Sequence, residues 1–294
     1  MPAFTPRQLL LLVLLTIIWG LNWPVMKVGI ENFPPLTFRM VSLWMGLAIM
    51  LVIARCMRQS LRIERRYWGQ VAMLTFFNTL AWYGLTIIAI PMLSSGRAAI
   101  LGYTMPIFSA VLGSLFFKDQ LPRRAWLGVA AALLGVMLLL WHEMASMGSR
   151  PIGVVLMLIA AVCWAYGTQK MRRSDIPTPT ITLSFWMVLS ATVVLSVLSV
   201  LLEREQWHAP DAVTWGAILF NAFLALAFAQ VVWFFLARTL PPIASTLSVM
   251  LIPVIGVFSG AWWLGEILHW QDWTAVALMV VAIATVLWPA KKTA

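Results

Sequence analysis

The sequence predicts an all-α polytopic membrane protein of ten transmembrane helices, arranged as two inverted five-helix repeats. Three observations predict it. The 294 residues are 62% hydrophobic and 10% charged, with a mean hydropathy of +0.91, and a soluble domain of this length exposes more charge than that. Apolar stretches of roughly 20 residues recur along the whole chain, each long enough to cross a ~30 Å hydrocarbon core as a helix, where a β-barrel would show short alternating strands. The chain also falls onto itself at half its length. Trp68-Gly69 lands on Trp215-Gly216, Pro106 on Pro253, Gly113 on Gly260, Asp119 on Glu266, Trp126 on Trp273 and Trp141 on Trp288, all at the shift of 147 residues that separates Trp68 from Trp215. Chance identity is common in apolar sequence, but these positions are helix breakers, an acid at a helix end and interfacial Trp.

The spans are expected at 8–28, 36–55, 67–89, 92–117, 123–141, 151–170, 180–202, 212–236, 241–264 and 272–289. The first carries one Arg before Leu9–Ile18 and resembles a signal peptide, but Trp19-Gly20-Leu21-Asn22 follows instead of a small-residue cleavage site, so it is read as a retained span. The connections are short and often built on Pro: Pro34-Pro35 before the second span, Pro91 before the fourth, Pro122 before the fifth, Pro177 and Pro179 before the seventh, and Pro241-Pro242 before the ninth.

The formal charge of +10 is explained by orientation, with no nucleic-acid partner implied. If the N-terminus is cytoplasmic, every Lys and Arg falls in a cytoplasmic segment except Lys27, Arg39, Arg150 and Arg204 outside and Arg97 within a span, which is the positive-inside pattern for cytoplasmic N- and C-termini. Outside loops carry acids instead, among them Glu31, Glu143, Glu203, Glu205, Asp211, Glu266 and Asp272. Five spans per half put residues 148–294 in the membrane upside down relative to residues 1–147. Inverted repeats are mostly features of transporters and channels, with the site between the halves. Two cysteines, Cys56 and Cys163, make no disulfide or metal framework.

Several motifs point to one family. They are Trp19-Gly20-Leu21-Asn22-Trp23-Pro24-Val25 followed by Pro34-Pro35-Leu36-Thr37-Phe38-Arg39; the prolines of Tyr103-Thr104-Met105-Pro106-Ile107 and Leu251-Ile252-Pro253-Val254; and the acids of Lys118-Asp119-Gln120-Leu121 and Leu264-Gly265-Glu266-Ile267-Leu268. Each acid is followed by a Gly/Ala-rich helix, Trp126–Trp141 and Trp273–Trp288. In order and spacing, over nearly the whole chain, this resembles the EamA family of the drug/metabolite transporter superfamily. The second-half opening, Trp164-Ala165-Tyr166-Gly167, is degenerate, and Asp119 stands where the family usually has Glu. The resemblance implies a bacterial inner-membrane exporter of small metabolites, often amino acids. It also implies that spans one, three, four, six, eight and nine line a central cavity, with five and ten packed away from it.

Ionisable residues within a bilayer are costly and usually functional. Arg97, about a turn inside span four, is the clear case: either its planar fork holds a substrate carboxylate, or it snorkels to the outer interface or pairs with backbone carbonyls. All ten acids fall in loops or at span ends, so no membrane carboxylate is placed to relay protons against a cationic drug, and a neutral or zwitterionic substrate fits better. Trp19 with Asn22, Trp82 and Tyr83 with Asn78, and Trp164 on span six supply aromatic walls beside polar groups, as a site for apolar or aromatic amino acids requires. Tyr103, Asn221, Gln230, Ser245 and Ser248 complete the expected lining. Pro106 and Pro253 each remove a backbone donor mid-span and are expected to kink the helix or let it gate.

No Ser/His/Asp group at membrane depth, HExxH, Cys/His metal spacing or phosphate loop is present, so neither catalytic residues nor a cofactor nor a metal is expected, and ATP-driven transport by this chain alone is excluded. The expected partners are a small-molecule substrate and membrane lipids, with one chain supplying both halves as a monomer. A drug or phosphorylated solute is the alternative cargo. A membrane enzyme acting on lipid is a further alternative, resting only on His142-Glu143 and on Glu266 with His269, which loop solvation would explain, and a non-transporting structural or receptor protein is the last, against which an aromatic cavity argues.

Overall fold

The computed structural model describes residues 5–119, 123–145, 151–230, 232 and 242–287, and every regular element in them is helical. Among the described residues six helices are long and apolar enough to cross a membrane: α1 (Pro6–Gly29), α2 (Pro35–Cys56), α3 (Arg65–Met92), α4 (Ser95–Phe117), α6 (Ile152–Arg172) and α7 (Thr180–Gln206). Between and after them lie α5 (Arg123–Ala145), α8 (Ala212–Phe228), α9 (Pro242–Leu264) and α10 (Trp270–Leu287), each containing a shorter apolar stretch. The chain is a polytopic all-α membrane protein. The far end of span eight, with Trp233, and Trp288 at the end of span ten lie outside the described residues.

Local chemistry sets the helix boundaries. Thr5 closes a capping box with Gln8 ahead of Pro6, so α1 starts where its orphan N–H groups find acceptors. Pro35 opens α2, whose Leu36 and Thr37 N–H groups donate to Glu203 at the end of α7 (2.9 and 2.7 Å). Leu93 is extended and Ser94 accepts the Arg97 N–H, so α4 begins at Ser95, later than the expected 92. Pro106 does more than kink its span. The helix stops at Gly102, turns through Tyr103 and Thr104, and restarts at Met105 with Pro106 in the new first turn. α9, by contrast, runs continuously through Pro253.

Helix packing has a two-fold pattern. α1 packs on α9 as α6 packs on α4, α1 on α8 as α6 on α3, α2 on α8 as α7 on α3, while α2 pairs with α7 and α5 with α10. Exchanging each helix with the one five places on leaves this pattern unchanged. Finer details repeat too. Wide π-helical turns occupy Thr75–Leu80 of α3 and Phe220–Phe228 of α8. Left-handed residues end α4 at Lys118 (φ 58°) and α9 at Gly265 (φ 64°), and the next N–H, of Asp119 and of Glu266, returns to the carbonyl of Gly113 and of Gly260 (3.1 and 3.4 Å).

The halves are inverted in space. Lys27 at the end of α1 reaches the Leu93 carbonyl and Glu266 beyond α9, and Gly153 at the start of α6 abuts Met92 and Leu93. The end of α1 and the start of α6 therefore share one end of the bundle. At the other end, Thr182 and Trp186 near the start of α7 bond the carbonyls of Ser60 and Leu61 after α2 (2.8 and 2.7 Å), and Asp119 after α4 meets Arg173 at the end of α6. Trp126, Trp141, Trp207, Trp215, Trp270 and Trp273 are exposed near helix ends, as an interfacial belt requires. Trp44 is exposed on the flank, with its Nε1 on Ser196 Oγ, and serves helix packing.

Candidate functional site

The wide turns of α3 and α8 each carry a buried asparagine, Asn78 and Asn221. A π-helical turn shifts the helix face by a fraction of a turn and frees backbone groups, which is why such turns gather at functional sites. Asn78 donates to the Leu74 carbonyl (3.3 Å), accepts from Thr168 Oγ1 (3.4 Å) and lies against Gly167, where a Cβ would collide with its side chain. Asn221 donates to Asn22 Oδ1 (2.8 Å) and accepts from Arg39 Nη1 (3.2 Å). Arg39 also donates to the Met26 sulfur (2.9 Å), and its guanidinium lies 5.4 Å from the Tyr83 ring centroid.

An aromatic group adjoins this polar one. Trp82 and Trp164 have ring centroids 6.3 Å apart, and Trp23 meets Tyr103 edge-on at 6.4 Å. Gly102 joins them: a Cβ there would lie 2.8 Å from Trp23 and 3.4 Å from Trp82, so the α4 break is wrapped by indoles that only glycine admits. Tyr103, Asn78 and Asn221 are buried, while Trp82, Tyr83 and Trp164 are half-buried. Trp19 is tied to the Ala225 carbonyl of α8 (3.2 Å). Gln230 is half-buried beyond the wide turn of α8. The side chains of Ser245 and Ser248 lie outside the described residues. A separate apolar groove of about 280 Å³, lined by Trp68, Val71, Thr75, Phe76 and Ser190 among others, lies on the flank between α3 and α7.

Each end of the bundle carries an ion pair between the repeats, and the two pairs are related by the repeat. At one end Glu266 takes Lys27 Nζ (3.0 Å), Ser95 N (2.7 Å), Ser95 Oγ (2.9 Å) and Gly96 N (3.4 Å). At the other, Asp119 takes Arg173 Nη2 with both oxygens (2.6 and 2.7 Å), while Arg173 Nη1 bonds Gln169, which in turn bonds Ser109 of α4. In both cases the acid that ends the repeat's fourth helix grips a cation ending the other repeat's first helix. The closures differ in burial: side-chain exposure is 31% and 9% for Lys27 and Glu266, against 33% and 44% for Arg173 and Asp119.

The acids at span ends are thus not simply solvated. Glu203, Glu266 and Asp272 are engaged against the protein, and loop solvation does not account for Glu266. Asp272 accepts Arg97 Nε (2.7 Å) and Nη2 (3.3 Å), so the fork expected to meet a substrate carboxylate or the interface is held by a protein one, with both side chains at most 10% exposed. Sequence reasoning also missed Arg39 by assigning it to an outside segment; it lies in the first turns of α2 at 3% exposure. The available signal was the one that singled out Arg97: an Arg about a turn inside a span whose start is marked by Pro or Ser.

Among the described residues, apolar helices packed in a two-fold pattern, with an ion pair at each end and a buried polar and aromatic group, define a polytopic membrane protein of transporter architecture. The sequence profile of the EamA-like transporter family matches residues 7–141 and again 151–288, and the chain belongs to that family. Among its relatives are the uncharacterized transporter YoaV of Bacillus subtilis (26% identical over 86% of this chain and 87% of that protein) and the uncharacterized inner membrane transporter YedA of Escherichia coli K12 (27%, 97% and 95%). A protein of Salmonella typhimurium named a probable amino-acid metabolite efflux pump is 27% identical over 93% of this chain and 92% of its own. A crystal structure described only as that of a protein superposes over 96% of both chains with a TM-score of 0.68 at 16% identity, a likeness of fold.

Proposed function

We propose that this protein is a secondary transporter that exports small metabolites, amino acids foremost and those with apolar or aromatic side chains in particular, by alternating access of residues 1–147 against residues 148–294. The observation that carries the proposal is the pair of repeat-related ion closures, Lys27–Glu266 at one end and Arg173–Asp119 at the other, with the polar and aromatic centre between them. An inverted repeat makes the two ends interchangeable, so the same rocking motion that loosens one closure tightens the other. Cytoplasmic termini in a bacterial inner membrane would put Lys27–Glu266 on the outside. One chain holds both halves, so a monomer suffices.

The aromatic faces of Trp82 and Trp164 would hold the apolar part of the cargo while Asn22, Asn78 and Asn221 hold its polar end. The relative named as an amino-acid metabolite efflux pump supports this cargo class. A phosphorylated solute would ask for several cations in the centre, whereas among the described residues Lys27, Arg97 and Arg173 are each paired with an acid, which leaves Arg39 as the one of these four without a carboxylate.

The test is uptake by proteoliposomes of labelled aromatic, aliphatic and acidic amino acids and a quaternary ammonium drug, each with and without a pH gradient. Saturable amino-acid uptake without the gradient, abolished by Trp164→Ala or Asn78→Ala at normal expression, is the expected result. Uptake of the drug alone, driven by the gradient, would refute it and put Asp119 or Glu266 on a proton pathway.

A further inference from the structure

Arg39 differs from the other cations in the helix bundle. Arg97 is held by Asp272, Arg173 by Asp119 and Lys27 by Glu266, but among the described residues no carboxylate lies within ion-pair range of Arg39, which is the most buried of the four. A guanidinium carries five N–H donors. Among the described residues Nη1 has an amide oxygen, that of Asn221, Nη2 has only the Met26 sulfur, a weak acceptor, and Nε has no hydrogen-bond partner. A buried cation left so poorly matched costs stability unless something else pairs with it.

The unmatched edge is the one suited to an oxyanion. Arg97 grips Asp272 with Nε on one carboxylate oxygen and Nη2 on the other. Among the described residues the same Nε–Nη2 edge of Arg39 has a thioether as its one hydrogen-bond acceptor. A second donor converges there: Asn22 Nδ2 also lies 3.5 Å from the Met26 sulfur. One soft, displaceable atom therefore occupies the spot at which Arg39 Nη2 and Asn22 Nδ2 both aim. Tyr83, whose ring lies beside Arg39, follows Trp82 on α3, and Trp82 pairs with Trp164.

We infer that Arg39 is the anion-binding residue of the central site and that the cargo carries a carboxylate, seated on the Nε–Nη2 edge with Asn22 Nδ2 as a further donor once Met26 swings aside. This rests on the transporter reading and assigns to Arg39 the role that the sequence alone offered to Arg97. One cation matches one carboxylate, and the flanking aromatic faces match an apolar body.

The experiment compares L-phenylalanine with L-phenylalaninamide, which lacks the carboxylate, in proteoliposome uptake and in tryptophan fluorescence of the purified protein. Wild type is expected to prefer the acid. Arg39→Gln is expected to lower uptake of the acid by about 10- to 100-fold, the loss of one charged bidentate contact, and to erase the preference. Arg39→Lys, which keeps the charge and guards against misfolding as the explanation, is expected to weaken the acid less. Met26→Leu, which removes the competing sulfur and no charge, is expected to lower the KM for the acid a few-fold. Equal uptake of acid and amide by wild type, or an unchanged preference in Arg39→Gln, overturns the assignment and leaves transport standing. Fluorescence titration by the acid that is lost in Arg39→Gln, without uptake of either probe, upholds the assignment and overturns transport. Absence of both signals overturns both.

Discussion

Replacing Glu266 by Gln should unfasten one end of the protein. Glu266 accepts four hydrogen bonds, from Lys27 Nζ, Ser95 N, Ser95 Oγ and Gly96 N. Gln keeps the shape and one acceptor oxygen but loses the charge and the second acceptor. Hydrogen bonds to a charged group contribute about 1.5–3 kcal/mol each. The Lys27 side chain is 31% exposed, so solvent screening reduces its share, and a net loss of about 2–3 kcal/mol is reasonable. At about 1.4 kcal/mol per tenfold, that shifts the balance between closed and open forms by about 30- to 150-fold. Ala99 reports it: it is fully buried one turn beyond Ser95, close to Gly256 of α9. In a background with Cys56 and Cys163 replaced by Ser, an Ala99→Cys protein should react slowly with a membrane-impermeant thiol reagent added from outside. Glu266→Gln should raise that rate by the same factor, because labelling tracks the open population. Labelling at the unchanged rate, or an equal rise from Asp119→Asn, would refute the reasoning.

Four further outcomes follow from the same geometry. Asp119→Asn should shift the balance by less, because the Arg173–Asp119 pair is the more exposed one and screened pairs contribute about 0–1 kcal/mol; outside labelling of Ala99→Cys should fall slightly or stay level. Arg97→Gln leaves Asp272 buried without its charge partner and should cost about 3–5 kcal/mol, while Arg97→Met with Asp272→Leu together should recover most of it, as read by thermal unfolding in detergent. Gly102→Ala drives a methyl against Trp23 and should cripple uptake, whereas Gly69→Ala and Gly216→Ala, with open space around them, should transport normally in the same assay. Asp211 caps α8 through the Thr214 N–H, and that bond holds its carboxyl below the usual carboxylate range. Its contribution is complete above the unfolded carboxylate pKa and is lost as pH falls through the lowered folded value, so the protection factors of amides 212–215, exchange rates taken relative to the intrinsic rate at each pH, should fall on acidification in wild type and stay level in Asp211→Ala.

Much of the architecture was legible because bilayer physics writes it into composition. A helix that must satisfy its own backbone in hydrocarbon needs a long apolar run, and short Pro-marked connections separate the runs. The expected span limits agree with the structure to within a few residues wherever it describes them. The acids at Asp119 and Glu266 were visible as repeat-related helix ends. Their partners were not, since Arg173 and Lys27 lie on other helices and far away in sequence. Pro106 and Pro253 look alike in sequence, yet one sits at a full break and the other inside a continuous helix. Gly102 with Tyr103 and Thr104 before Pro106 has no counterpart ahead of Pro253, where Met250-Leu251-Ile252 favours helix.

The sequence by itself determined that the chain spans a membrane many times, that it repeats, and that charge is scarce within its spans, because each of these follows from local composition. Only the tertiary structure decided which of those scarce charges is spoken for. Arg97 stood out as the membrane cation, but the fold brings Asp272 to it across 175 residues, while it buries Arg39 against Tyr83 and Asn221 with one edge unmatched. Pairing in a low-dielectric interior depends on distances between helices remote along the chain, and no local pattern encodes those distances.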